Sequence, residues 1–351
     1  MATLAKSDTA RFWIRVWLVL ISVMVYAMIL IGGATRLTDS GLSITEWQPI
    51  SGALPPLSEA DWMSEFAKYQ GTAEFQAQNY NMTLAEFQYI YWWEWGHRLF
   101  GRLIGLVAIA GVALFAAKRW LSGGLAWRLG LLVGLGGLQG AVGWWMVSSG
   151  VGETTRIDVA PYRLMTHFML AMVIIGYAFW LFMSLSKDKK LLNRRRHPAV
   201  KWAVALLVLI GLQLATGALV AGLDAGRSYT DWPLMAGEVF PSGYVHPDLG
   251  VRSLFEGREA TQFNHRMLAY IILVVSVVAS VVWFNTRVKM PFLVLTGVLF
   301  AQAGWGILTL VNAAPMDLAL VHQGMGVIVF LCSVWLVFTA TCRGESRLGS
   351  L

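Results

Sequence analysis

Charge is scarce in this 351-residue sequence. Asp, Glu, Lys and Arg make up 13% of it, against about 25% in an ordinary soluble domain. Such a chain lacks the polar surface that a water-soluble fold needs. With 57% hydrophobic residues, it reads as a polytopic membrane protein, one integrated helical bundle rather than two soluble domains. Cysteine is scarcer still: only Cys332 and Cys342 occur, both near the C-terminus, which excludes a disulfide framework outside the membrane. The N-terminal MATLAKSDTARFWIRVW lacks a small-residue cleavage site after its apolar run, so the first helix is expected to be retained. The net charge of +7 tempts a nucleic-acid reading. Its basic residues instead crowd short connections, as in loops held in the cytoplasm, and no nucleic-acid partner is expected.

What the chain does have is long apolar runs. Segments of roughly 20 residues, the length that spans a bilayer, occur eight times, near 13–33, 89–117, 128–147, 163–184, 202–222, 263–284, 291–311 and 318–340. Their length, and the need to satisfy every backbone group in lipid, make them helices. One alternate set of connections holds Lys6, Arg11, Arg15, Lys118, Arg119, Arg128, the basic cluster of 187–201, Arg287, Lys289, Arg343 and Arg347. The opposite set is poorer in bases and includes the long acidic segment 36–88. Both termini are therefore expected in the cytoplasm and the long loops outside. Arg194-Arg195-Arg196 is read as part of this topology signal rather than as an anionic-lipid site. In the first outer loop, Ser58 followed by Asp61 is expected to cap a surface helix that covers what lies beneath.

The two halves echo each other. Gly32 to Leu37 and Thr45-Glu46-Trp47-Gln48-Pro49 have partners in Val220 to Leu223 and Thr230-Asp231-Trp232-Pro233. Gly96-His97-Arg98 matches Asn264-His265-Arg266, Leu138 to Gly143 matches Ala301 to Gly306, and Met165-Thr166-His167 matches Leu320-Val321-His322. Each half has four helices, so the repeat is parallel. The fold expected is all-α, with eight transmembrane helices as two parallel four-helix repeats and pseudo-twofold symmetry. The halves are 1–190 and 191–351.

Ionisable side chains within a membrane span are costly and mark function. Of six histidines, four open the second, fourth, sixth and eighth helices: His97, His167, His265 and His322. Any one alone would be an ordinary hydrogen-bonding core residue. Four at matching depth, two per repeat, point to a ligand. Zinc usually wants about four N or S ligands, and no loop cysteines or clustered carboxylates complete such a set. Two facing histidines from two helices suit the axial positions of a haem. Gly101, Gly105, Gly140, Gly143, Gly324 and Gly326 would allow close approach. Arg98 and Arg266 each follow a histidine, where they could bind haem propionates or snorkel to headgroups. His197 and His246 lie in loops and are assigned no role.

The halves differ at one place. Glu94 stands three residues before His97, while Gln262 stands three before His265. A carboxylate in one half only suggests chemistry there, by proton transfer, with a structural Glu94–Arg98 pair as the alternative.

Gly32-Gly33-Ala34-Thr35-Arg36-Leu37-Thr38-Asp39-Ser40-Gly41-Leu42-Ser43-Ile44-Thr45-Glu46-Trp47-Gln48-Pro49, the Glu94 to Arg102 segment, Tyr162 to His167 and Ala221 to Gly226 resemble heme A synthase, in its proteobacterial and mitochondrial branch. The likeness runs from the first helix to the eighth. It implies an eight-helix enzyme of the cell inner membrane that oxidises the C8 methyl group of heme O to the formyl group of heme A, for cytochrome oxidase biogenesis. The implied route is two hydroxylations with water-derived oxygen. It further implies a heme O site at His97, His167 and Glu94, and a resident haem b on His265 and His322. Some members carry a cysteine pair in the first outer loop; this chain has none there, so a thiol relay is not expected. A homo-oligomer, an electron acceptor and association with the heme O-producing farnesyltransferase are open partners. The alternative functions are a b-type cytochrome or quinol oxidoreductase that only transfers electrons, and a transporter using histidines as a proton relay.

Overall fold

The computed structural model describes residues 6–152, 154–185 and 197–341. Every apolar run is a helix, and among the described residues eight helices are long and apolar enough to cross a membrane. They are α1 (Asp8–Leu37), α4 (Leu84–Ala117), α5 (Gly123–Val147), α6 (Pro161–Ser184), α7 (Val200–Gly222), α9 (Arg258–Val282), α10 (Lys289–Val311) and α11 (Met316–Thr341). Most extend a few residues beyond the apolar runs, because polar residues outside the runs cap the free backbone N–H groups. Ser7 Oγ accepts from Ala10 N at 3.1 Å, and Thr83 and Glu86 form a reciprocal capping box at the start of α4. The loop between α1 and α4 holds α2 (Glu59–Gln70) and α3 (Ala73–Gln78), and Ser58 with Asp61 caps α2 as expected. Among the described residues there is no strand, only an isolated bridge between Met235 and Glu238. The multi-pass, all-helical membrane fold stands.

The chain forms two compact units, Met1–Ile174 and Ile175–Leu351. The boundary expected after residue 190, the Arg194-Arg195-Arg196 cluster and Cys342 fall outside the described residues. In the first unit α4 packs against α1 and α5, and α2 covers the start of α4. That cover is aromatic: Trp62 meets Tyr91 and Trp92 edge-on, Phe66 and Tyr69 bury themselves on Phe87, and Phe75 packs edge-on against Phe66 and Tyr69.

In the second unit α7 packs against both α9 and α11, and α10 packs against the same two helices. The histidine-bearing helices α9 and α11 are therefore diagonal in the bundle. Leu206, Ile210, Ile272, Phe292, Leu295 and Leu336 form its dry core, set away from the long-loop ends where the histidines lie. Large apolar side chains such as Val23, Leu106, Ile109, Val274 and Val281 stay exposed on the spanning helices, a surface suited to hydrocarbon.

Candidate functional site

Each of the four helix histidines rests on a glycine of the preceding spanning helix. A Cβ placed on Gly32 would lie 3.0 Å from His97 Cε1, and one on Gly143 2.8 Å from His167 Cε1. The same construction gives 3.0 Å from Gly217 to His265 and 2.7 Å from Gly306 to His322. The absent side chain makes room for the ring. One turn before three of these glycines stands a glutamine whose Nε2 donates to the backbone carbonyl of the facing histidine: Gln139 to His167, Gln213 to His265 and Gln302 to His322, each at 3.0 Å. Met28 holds the fourth place, before Gly32. The Oε1 atoms of all three glutamines are buried without a hydrogen-bond partner.

His265 has one further support. Thr216 Oγ1 donates to Gln213 O at 2.9 Å and lies 3.0 Å from His265 Nδ1. With its own proton committed, the hydroxyl accepts from Nδ1–H, which makes Nε2 the acceptor; Gln213 Nε2 now lies 3.2 Å from it, a contact that an incoming ligand would replace. His97 Nδ1 and His167 Nδ1 are buried and without a hydrogen-bond partner.

Within each unit the two imidazoles lie near enough to feel each other's charge, His97 with His167 and His265 with His322. Among the described residues no cluster of three or more His, Cys, Asp or Glu could hold a bare metal ion. Two imidazoles on glycine shelves suit a flat ligand that brings the remaining donors with its metal, which is what a haem does. The residues present fit such a group.

Above His97 sits a charged clamp. Glu94 is 3% exposed. Its Oε2 accepts from Ser43 Oγ and from Ile44 N, both at 2.7 Å. Its Oε1 takes Arg98 Nη2 at 2.6 Å and Nε at 3.1 Å. Arg98 also donates to Ile44 O and Glu46 O at 2.8 and 2.9 Å, and its guanidinium lies 5.7 Å from the Trp144 ring centroid. Arg102 continues the seam, donating to Gln48 O and Pro49 O. The 44–49 loop is thereby fastened to α4 beside the histidine.

The second unit repeats this arrangement with one change of polarity. Arg266 donates to Tyr229 O, Asp231 O and Leu234 O, and Tyr229 and Asp231 are the counterparts of Ile44 and Glu46 in the repeat. Gln262 accepts from Arg266 Nη2 at 3.3 Å and donates to Tyr229 O at 3.0 Å. Where the carboxylate of Glu94 receives a backbone N–H, the amide of Gln262 gives to a carbonyl. The turns before both loops match too: Asp39 and Asp224 take left-handed φ values of 49° and 50°, which Asp tolerates.

The sequence-read residues thus fall into two unit-local groups: Glu94, His97, Arg98 and His167, and Gln262, His265, Arg266 and His322. His246 pairs with Glu259 at 2.9 Å in its loop, and His197 accepts from Ala199 N and packs edge-on against Trp283. Ser43, Gln213, Thr216, Gly217 and the glutamines' pairing with the histidine carbonyls escaped the sequence reading. Three Gln-x-x-x-Gly spacings, at 139–143, 213–217 and 302–306, were the available signal.

Fold and site together define a multi-pass helical membrane protein with a shelved histidine pair in each of two units. The family model for cytochrome oxidase assembly proteins, COX15-CtaA, matches residues 15–334, and the chain belongs to that family. It is 62% identical over 340 residues to the heme A synthase of Hyphomonas neptunium, covering 97% of this chain and 96% of that protein. It is 49% identical over 340 residues to the heme A synthase of Dinoroseobacter shibae, with 94% and 88% covered. It is 47% identical over 337 residues to that of Maricaulis maris, with 95% and 98% covered.

Proposed function

We propose that this protein is a heme A synthase, an oxidoreductase of the cell inner membrane with both termini in the cytoplasm, acting on heme O for cytochrome oxidase assembly. The single observation that carries the reading is the pair of shelved histidines in each unit, joined to a carboxylate in the first unit alone. Identity of up to 62% to relatives bearing that name supports it.

The substrate heme O is assigned to His97 and His167 in the half 1–190. Haem b is assigned to His265 and His322 in the half 191–351. Conversion of the C8 methyl group proceeds by two hydroxylations, each adding a water-derived oxygen and releasing two protons and two electrons; the resulting gem-diol loses water to give the formyl group. Haem b, when bound, supplies a one-electron carrier. The protein's own residues orient and stabilise. Gly32 and Gly143 let the imidazoles come close, and Gln139 fixes the backbone of His167. Glu94, held by donors on both oxygens, offers a fixed negative charge where positive charge develops as the methyl group is oxidised, and its carboxylate can accept a released proton. Arg98 and Arg266 hold the 44–46 and 229–234 loops beside the histidines, where those loops would border a bound haem. A homo-oligomer and handover from the heme O-producing farnesyltransferase are compatible partners.

The test is expression in a host that makes heme O but lacks its own synthase, followed by chromatography of the extracted haems. Heme A is the expected product. Recovery of haem b without heme O, hydroxylated heme or heme A would instead favour a b-type cytochrome that only transfers electrons.

A further inference from the structure

A cleft of about 350 Å³ opens among the long-loop ends of α7 and α9 and the short helix α8 (Ser253–Glu256). Phe255, Met267 and Ile271 make its wall mainly apolar, and Thr216 and Thr261 also line it. Two features single it out, and the first argues against a lipid tail as its occupant. Thr261 is 2% exposed and its buried hydroxyl has no hydrogen-bond partner; a hydrocarbon chain would leave it so, whereas a carbonyl oxygen would accept from it. Thr216 is the same residue whose hydroxyl lies 3.0 Å from His265 Nδ1, so the cleft shares a wall with the assigned haem b ligand.

A ligand that meets these features is apolar, membrane-soluble and edged with carbonyl acceptors. We propose that the cleft binds the head group of a membrane quinone and that the electrons of the reaction leave the protein there, beside His265. This rests on the heme A synthase reading, which requires an oxidant. The balance is R–CH3 + H2O + 2 quinone → R–CHO + 2 quinol: the methyl carbon is oxidised, water gives the oxygen, and each quinone takes up two electrons and two protons. Thr261 donates to one quinone carbonyl; Thr216 links the cleft to the imidazole.

The test uses the full-length protein with its haem in phospholipid nanodiscs. A short-tailed azidoquinone should photolabel the segment 253–271, and excess decyl-ubiquinone should compete. The labelling should persist in His265→Ala, where haem b is lost. In anaerobic stopped-flow, decyl-ubiquinone should reoxidise the reduced haem of the parent protein. Met267→Trp, which fills the cleft, and the milder Thr261→Val should each slow this at least tenfold, with the absorption spectrum preserved. Equal reoxidation rates in parent and Thr261→Val overturn the proposal. So does labelling elsewhere, or an absence of competed labelling, as a lipid-filled cleft would give. Photolabelling needs no heme O, so failure of heme A production in the host test leaves this outcome readable, and the two readings fail separately.

Discussion

The buried Glu94 and the partly buried Arg98 form a pair in which one carboxylate oxygen takes two guanidinium nitrogens, at 2.6 and 3.1 Å, while the other takes Ser43 Oγ and Ile44 N. Both oxygens face donors. An amide at this position must turn its NH2 group toward one donor set, so Gln is not a neutral substitute here, although it serves at 262, where a carbonyl faces it. Removing one member of a buried ion pair costs about 3–5 kcal/mol, and losing a preorganised charge at a reacting centre costs on the order of 100-fold in rate. Glu94→Gln should therefore lower the ratio of heme A to heme O by about that factor and raise hydrogen exchange in residues 43–49. Full heme A production by this variant in a host lacking its own synthase would remove Glu94 from the chemistry.

The glycine shelves make a sharper steric prediction. An added methyl group at Gly306 meets His322 at 2.7 Å, closer than real Cβ contacts, while one at Gly304 on the same helix meets nothing within 4 Å. Gly306→Ala should displace the imidazole and abolish the low-spin b-type spectrum of the purified protein, and Gly304→Ala should keep it. Identical spectra from both variants would show that His322 does not bind the group.

Thr216 should tune what His265 holds. An acceptor on Nδ1–H raises the basicity of the ligating nitrogen, and removing such a partner typically costs about 10–100-fold in affinity or activity. A more basic imidazole favours ferric over ferrous iron. Thr216→Val should thus raise the midpoint potential of haem b and alter its electron paramagnetic resonance g-values. An unchanged potential would mean that the 3.0 Å contact does not persist with haem bound.

Much of this was legible in the sequence because membrane spans and repeats are written in composition and spacing. The eight runs, the Ser58 cap and the four histidines needed only length, periodicity and order. The clamp was half legible. Glu94 and Arg98 at i, i+4 announce a pair, but their hold on Ile44 and Glu46 depends on a backbone path some fifty residues upstream that no local rule gives. The glycine shelves escaped for another reason. Glycine is frequent in membrane helices, and Gly143 carries meaning only once His167 is seen against it. Thr216 has no counterpart in the other three helix pairs, so the repeat did not point to it either.

The extramembrane cover over α4 should respond to pH through Glu74. This side chain is 3% exposed and accepts from Tyr69 OH at 3.2 Å, with Asn79 Nδ2 donating to the same phenol oxygen at 2.8 Å. Burial pushes its carboxyl from 4.5 up to about 8; the tyrosine hydrogen bond opposes the shift, and the nearby carboxylates of Asp158, Glu94 and Asp39 add to it. The folded cover therefore binds a proton that the opened one releases. Its contribution to stability is fully present below about pH 4.5 and is lost as pH rises through about 8. Within that window the opening free energy should fall by up to about 1.4 kcal/mol per pH unit. Hydrogen exchange of residues 59–78, corrected for the intrinsic rate, should show more opening at pH 9 than at pH 6. Glu74→Gln, which keeps the shape and cannot ionise, should flatten that dependence. A parent protein with no pH dependence in this window would place the Glu74 carboxyl in contact with water.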